Sequence, residues 1–143
     1  MTAKEFLSQA KYLDESINTK IESLDYLNAL AGKCTSVLSD MPKSGNGNTS
    51  HLEDVVVKII DLQREINCDI DALVDLKAEI RKVILRVENP VERLLLEKRY
   101  ICCLPWSVIR NTLYFSETTA KRVHNAALES VDEILDEMEK CGP

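Results

Sequence analysis

The chain has 143 residues, 29% of them charged and only 5% aromatic, and a net charge of −6. This length bounds it to one domain, or one long element with a small domain attached, and the few aromatics suit long helices better than a wide sheet. The acidic balance argues against a general nucleic-acid coat. No apolar run approaches the roughly 18 residues of a membrane span, and the N-terminus lacks the basic-then-apolar order of a signal peptide.

Thr2 and Glu5 form a T-x-x-E capping box, so a helix can start almost at the first residue. Its apolar stripe runs Phe6, Ala10, Leu13, Ile17, Ile21, Leu24, Leu27, Ala31, Cys34 and Leu38, in steps of three or four. The sequence from Ser39 to Ser50, SDMPKSGNGNTS, keeps no such period and reads as a loop. Ser50 and Glu53 offer a second capping box. The stripe that follows is Leu52, Val55, Val56, Ile59, Leu62, Ile66, Ile70, Leu73, Leu76, Ile80, Val83, Ile84 and Val87. Two long helices of matched length joined by such a loop fold back as an antiparallel, coiled-coil-like hairpin over residues 1–88. The doubled positions Val55-Val56 and Val83-Ile84 exceed what one partner helix can cover. The C-terminal helices or a second copy of the chain should cover the surplus. The expectation is a homodimer that buries Ile59, Ile66, Leu73 or Ile80 between chains or against the first helix.

Asn89-Pro90 stops the second helix and starts a third, with Asn89 as cap and Pro90 in the first turn. This helix reaches about Cys102 and buries Val91, Leu94, Leu95 and Tyr100 or Ile101. Leu104-Pro105 closes it. Trp106, Ile109 and Leu113 then lie at helical spacing, Leu113-Tyr114-Phe115 makes a turn, and Ser116 caps a last helix. That helix buries Ala120, Val123, Ala127 and Leu128, and continues to about Met138 with Val131, Ile134 and Leu135. Two short helices joined this way are a helix-turn-helix, whose second helix can enter the DNA major groove. The fold class is therefore all-α: a hairpin over 1–88 with its loop at 39–50, then a three-helix unit over 89–143.

The charge map singles out the same segment. Residues 1–88 carry 11 basic and 15 acidic side chains, residues 89–128 carry 6 and 3, and residues 129–143 carry 1 and 6. The only basic island thus coincides with the helix-turn-helix, while the tail EILDEMEK would be repelled by DNA.

Arg99-Tyr100, Trp106, Ile109, Leu113, Phe115-Ser116, and His124 with Ala127-Leu128 resemble the C-terminal helix-turn-helix of bacterial sigma factors, the region that reads the −35 promoter element. Over nearly its full length the chain is also similar to a family of small proteins from phages and prophages of Gram-positive bacteria. The segments that carry this likeness are MTAKEFLSQA, the LSDMP loop from Leu38 to Pro42, Ile66 to Lys77, and Asn89 to Tyr100. The resemblance implies a relation to the sigma-like activators of phage late genes, double-stranded DNA as ligand, and action with host RNA polymerase. Carried over position by position, it implies that Glu117, Thr118, Lys121 and Arg122 face base edges, where Lys and Arg can donate to guanine and Glu can accept from cytosine. Arg99, Arg110 and His124 would contact phosphates, assisted by Arg93 and Lys98. Three positions depart from the sigma pattern. Tyr114 stands where glycine is usual, Arg110 where alanine is usual, and Ala120 where valine or isoleucine is usual.

Other chemistry is not indicated. Cys34, Cys68, Cys102, Cys103 and Cys141 are odd in number and include no CxxC, so they read as reduced cytoplasmic thiols without a metal. The two histidines, His51 and His124, stand at no nucleophile spacing, and no glycine-rich phosphate loop follows a strand. An enzyme is not expected. The alternative to a DNA-binding regulator is a helical protein–protein adaptor whose helix-turn-helix no longer binds DNA.

Overall fold

The computed structural model describes residues 1–40 and 46–141, with side chains at 1–34 and 51–141. It is all-α, with no strand among the described residues. In chain order the elements are α1 (Ala3–Asp40), α2 (Asn46–Ile84), α3 (Pro90–Leu96), a π-helical turn (Glu97–Ile101), α4 (Trp106–Leu113) and α5 (Glu117–Lys140). No described helix is long and apolar enough to cross a membrane.

The capping box of α1 forms as its sequence requires. The Thr2 hydroxyl accepts from the Glu5 amide at 3.2 Å, and the Glu5 carboxylate accepts from the Thr2 amide at 3.1 Å. The second capping box does not start α2, which already runs from Asn46 through Ser50. Once a long helix is nucleated, each added residue needs only one further hydrogen bond, so the polar stretch from Asn46 to Ser50 is taken up. The expected loop at 39–50 is shortened at both ends, and its centre at 41–45, with Met41 and Pro42 of the LSDMP segment, lies outside the described residues. At its other end α2 stops at Ile84, before the expected boundary at 88.

The chain forms two compact units, and they do not follow the expected boundary at 88/89. The first comprises Met1–Leu13 and Leu73–Pro143, the second Asp14–Ala72. The reason lies in one shared core. Ala3, Leu7 and Ala10 of α1, Ile80, Val83 and Ile84 of α2, and Val87 are buried together with Leu96, Tyr100, Ala127, Val131 and Ile134. The surplus at Val83-Ile84 is thus covered within the chain, by α1 and α5. At the start of α1 the fully enclosed residue is Leu7, while Phe6 is half-buried beside the core. Asp132 of α5 accepts from the Ala3 amide at 2.7 Å, which sets a carboxylate against the amino end of α1.

In the second unit α1 packs against α2, and Ile17, Val55 and Ile66 are buried between them. Lys20 forms an ion pair with Asp69 across the two helices. Of the four residues expected between chains or against the first helix, Ile66 and Ile80 are buried within the chain itself, and Ile59 and Leu73 are half-buried. Ile21, expected in the α1 stripe, is exposed, as is Met138 near the end of α5.

Candidate nucleic-acid interface

Asn89 caps α3 by accepting from the Val91 amide at 2.9 Å and the Glu92 amide at 3.4 Å, and Pro90 takes the first helical position. α3 packs against α5. Glu92 is nearly buried there and accepts from the Ser130 hydroxyl at 3.1 Å. The inward residues of α3 are Leu95 and Leu96; Val91 and Leu94, expected in the core, are exposed. The helix then widens into the π turn, where the Cys102 amide donates to Glu97 O at 2.9 Å, five residues back. That turn keeps Tyr100 inward, on the side of Leu96. Cys103 in the left-handed region (φ 55°) ends the segment before Leu104-Pro105.

The helix-turn-helix joint is built from two caps. At the end of α4 the Phe115 amide returns to Arg110 O at 2.9 Å, a Schellman closure that needs a left-handed residue between. Tyr114 supplies it with φ 58° and ψ 39°. This is the position where the sigma-type pattern has glycine, and the backbone explains why: a Cβ is disfavoured in this region by about 1–2 kcal/mol. The Tyr114 side chain is 94% exposed and makes no packing that would offset the cost. Tyr114→Gly is therefore expected to be neutral or stabilising by up to about 1 kcal/mol, the strain relief being partly offset by the greater freedom of the unfolded chain. Urea unfolding of the two proteins checks this, and a loss of more than about 1 kcal/mol would contradict it.

Ser116 starts α5, its hydroxyl accepting from the Thr119 amide at 3.2 Å. Behind the joint Leu95, Ile109 and Ala120 are buried. Ala120, smaller than the branched residue usual there, still seals its position. Glu117, Thr118, Lys121 and Arg122 are all exposed on the first turns of α5. They are not independent. The Glu117 carboxylate lies 3.5 Å from Lys121 Nζ and 4.0 Å from an Arg110 nitrogen. Arg110, placed where a small residue is usual, has its Nε buried without a hydrogen-bond partner. Its guanidinium end reaches the edge of the α5 surface.

The other two residues expected at phosphates are turned inward. Arg99 donates to Leu104 O at 3.0 Å, and its guanidinium lies 4.9 Å from the centre of the Trp106 ring. His124 Nε2 is 2.6 Å from the Tyr100 hydroxyl, and the imidazole meets the Trp106 ring edge-on at 4.7 Å. Burial, with smaller contributions from the Arg99 and Lys4 charges, pushes the His124 pKa down to about 4, so the ring is neutral at pH 7. Burial also raises the Tyr100 phenol, which keeps its proton. Arg99, Tyr100, Trp106 and His124 therefore form a clasp joining the π turn, α4 and α5. Arg93 and Lys98 are half-buried. Sequence reasoning missed the clasp and the shared role of Glu117. The one signal was the co-occurrence of Arg99-Tyr100, Trp106 and His124 in the same unit.

Residues 33–132 match a family of proteins of unknown function, DUF1492. The chain belongs to the DUF1492 family. The matched segment contains every residue of the joint, the clasp and the exposed α5 surface, and it ends at Asp132, the residue that holds the start of α1. No curated protein and no solved structure matches the chain. Among the described residues no group of histidine, cysteine, aspartate or glutamate is placed to hold a metal ion.

Proposed function

We propose that this DUF1492 protein is a sequence-specific DNA-binding transcription regulator of phage or prophage type, sigma-like in its last helices and acting with host RNA polymerase. The observation that carries the reading is the exposure of Glu117, Thr118, Lys121 and Arg122 on the first two turns of a helix with a fixed entry. A helix presented by such a joint can lay its N-terminal residues along base edges in the major groove. Arg110 at the rim of this surface would take a phosphate. Arg99 and His124 serve the reading indirectly, by holding α4 and α5 at a constant angle.

A second reading has its own support. The inward use of Arg99 and His124 and the masking of Arg110 and Lys121 by Glu117 leave Arg122 as the base-reading cation without an ion pair of its own among the described residues. A helix-turn-helix used only as scaffold, in a protein–protein adaptor, would look the same.

A binding titration separates the two. Lys121→Ala and Arg122→Ala are expected to weaken a specific duplex by about 1–3 kcal/mol each, because each removes a base-edge donor. Arg110→Ala should weaken all sequences alike. The duplexes are promoter regions of the genome that encodes the protein, tested at two salt concentrations. A folded protein that binds none of them at low salt leaves the adaptor reading.

A further inference from the structure

The outer face of α2 carries a second apolar stripe that the chain itself leaves uncovered. Val56, Ile60, Gln63, Asn67, Ile70 and Val74 follow in steps of four, three, four, three and four, the spacing of a coiled-coil seam. The stripe lies one residue, roughly 100°, further round the helix than Ile59, Ile66 and Leu73. Its apolar members are 41% (Val56), 43% (Ile60), 41% (Ile70) and 62% (Val74) exposed, unlike the inner row.

Order along the stripe identifies the occupant. Read in either direction the series is β-branched apolar, isoleucine, carboxamide, carboxamide, isoleucine, β-branched apolar. A two-fold interface requires one patch to be complementary to itself, and this series meets that condition when the helices run antiparallel. We propose that two copies of the chain join along this face, antiparallel about a two-fold axis that passes between Gln63 and Asn67. Val56 then meets Val74 of the second copy, Ile60 meets Ile70, and Gln63 meets Asn67, whose amides each offer both donor and acceptor. A buried amide pair of this kind fixes register at some cost in stability. The flank carries Arg64 and Asp71, opposite charges that the antiparallel register brings within about a turn and a half of each other. The stripe is about 27 Å long. Two such faces together bury on the order of 1,000 Å², the size at which specific interfaces begin. The inference does not rest on the DNA reading, and it moves the expected dimer contact from Ile59, Ile66, Leu73 and Ile80 to the neighbouring face.

Sedimentation equilibrium of the full chain tests it. The wild type is expected to dimerise between micromolar and millimolar concentration. Ile60→Glu and Ile70→Glu should each raise the dissociation constant by about 100-fold or more, since each sets an unpaired carboxylate in the seam. Helicity by circular dichroism should stay unchanged, because both side chains are exposed in the single chain. Leu85→Glu, at an exposed leucine off the stripe, should leave association as it was. Gln63→Glu combined with Asn67→Lys should keep the dimer, because antiparallel pairing sets opposite charges together. Gln63→Lys combined with Asn67→Lys should lose it. A wild type that stays monomeric to about 1 mM, a dimer indifferent to Ile60→Glu and Ile70→Glu, or loss of association in the oppositely charged double variant would each overturn the proposal.

Discussion

A fragment of residues 89–143 is expected to be largely unfolded in water, although it contains the whole helix-turn-helix. Its Leu96, Tyr100, Ala127, Val131 and Ile134 are buried in one cluster with Ala3, Leu7, Ala10, Ile80, Val83, Ile84 and Val87. Removing the second group takes away five fully or almost fully buried large side chains, each worth about 1.5–3 kcal/mol, and uncovers the residues they shield. The loss is on the order of 10 kcal/mol, as large as the whole stability of an ordinary domain. Circular dichroism and amide shift dispersion of the fragment would show it. A fragment with a cooperative melt near that of the full chain would mean that residues 89–143 are an independent unit after all.

Acid is expected to loosen the clasp. His124 takes up its proton near pH 6.5 in the unfolded chain and only at about 4 in the folded one. Between those values the unfolded chain binds more protons, so stability falls as pH falls. The contribution is complete above about pH 7 and is lost progressively from 6.5 down to 4. A shift of this size corresponds to about 3 kcal/mol, and solvent screening of the half-buried ring brings it to about 2 kcal/mol. In the tautomer with Nε2 unprotonated, the Tyr100 hydroxyl donates to that nitrogen, and protonation removes the acceptor. Urea titrations at pH 7, 5.5 and 4 of the wild type and His124→Gln would check the effect. Carboxylates titrate in both proteins, so the part belonging to His124 is the difference between the two curves. Parallel curves would assign the acid response elsewhere.

The parts of this fold that were legible in the sequence are those set by neighbours along the chain. The Thr2–Glu5 box, the Asn89-Pro90 start and the Ser116 cap each need only residues two or three positions away. The turn at Leu113-Tyr114-Phe115 was legible from the spacing of the helices beside it, but its left-handed residue was not, because tyrosine stands where glycine would mark it. What failed depends on distant partners. Leu7 rather than Phe6 points inward because the start of α1 is enclosed by α2 and α5 together. Val91 and Leu94 face outward because the side of α3 that packs on α5 is the one bearing Glu92, Leu95 and Leu96, an assignment a helical period cannot make. Arg99 and His124 looked like surface cations. Arg99 folds onto the Trp106 ring and His124 onto the Trp106 and Tyr100 rings, partners that no helical period along the chain points to.

Glu117 stands between Arg110 and Lys121 at the lip of α5 and already serves both as a counterion. Any polyanion that approaches this lip competes with a carboxylate that cannot diffuse away. Part of the charge it would neutralise is neutralised beforehand, so fewer small ions return to solution than the number of cations on the surface suggests. On the proposed DNA reading, binding there would be less sensitive to ionic strength than a count of basic residues implies. On the same reading, the carboxylate would repel phosphates that arrive without a cytosine amino group to occupy it, and so would disfavour sequence-blind attachment more than attachment at a matching site.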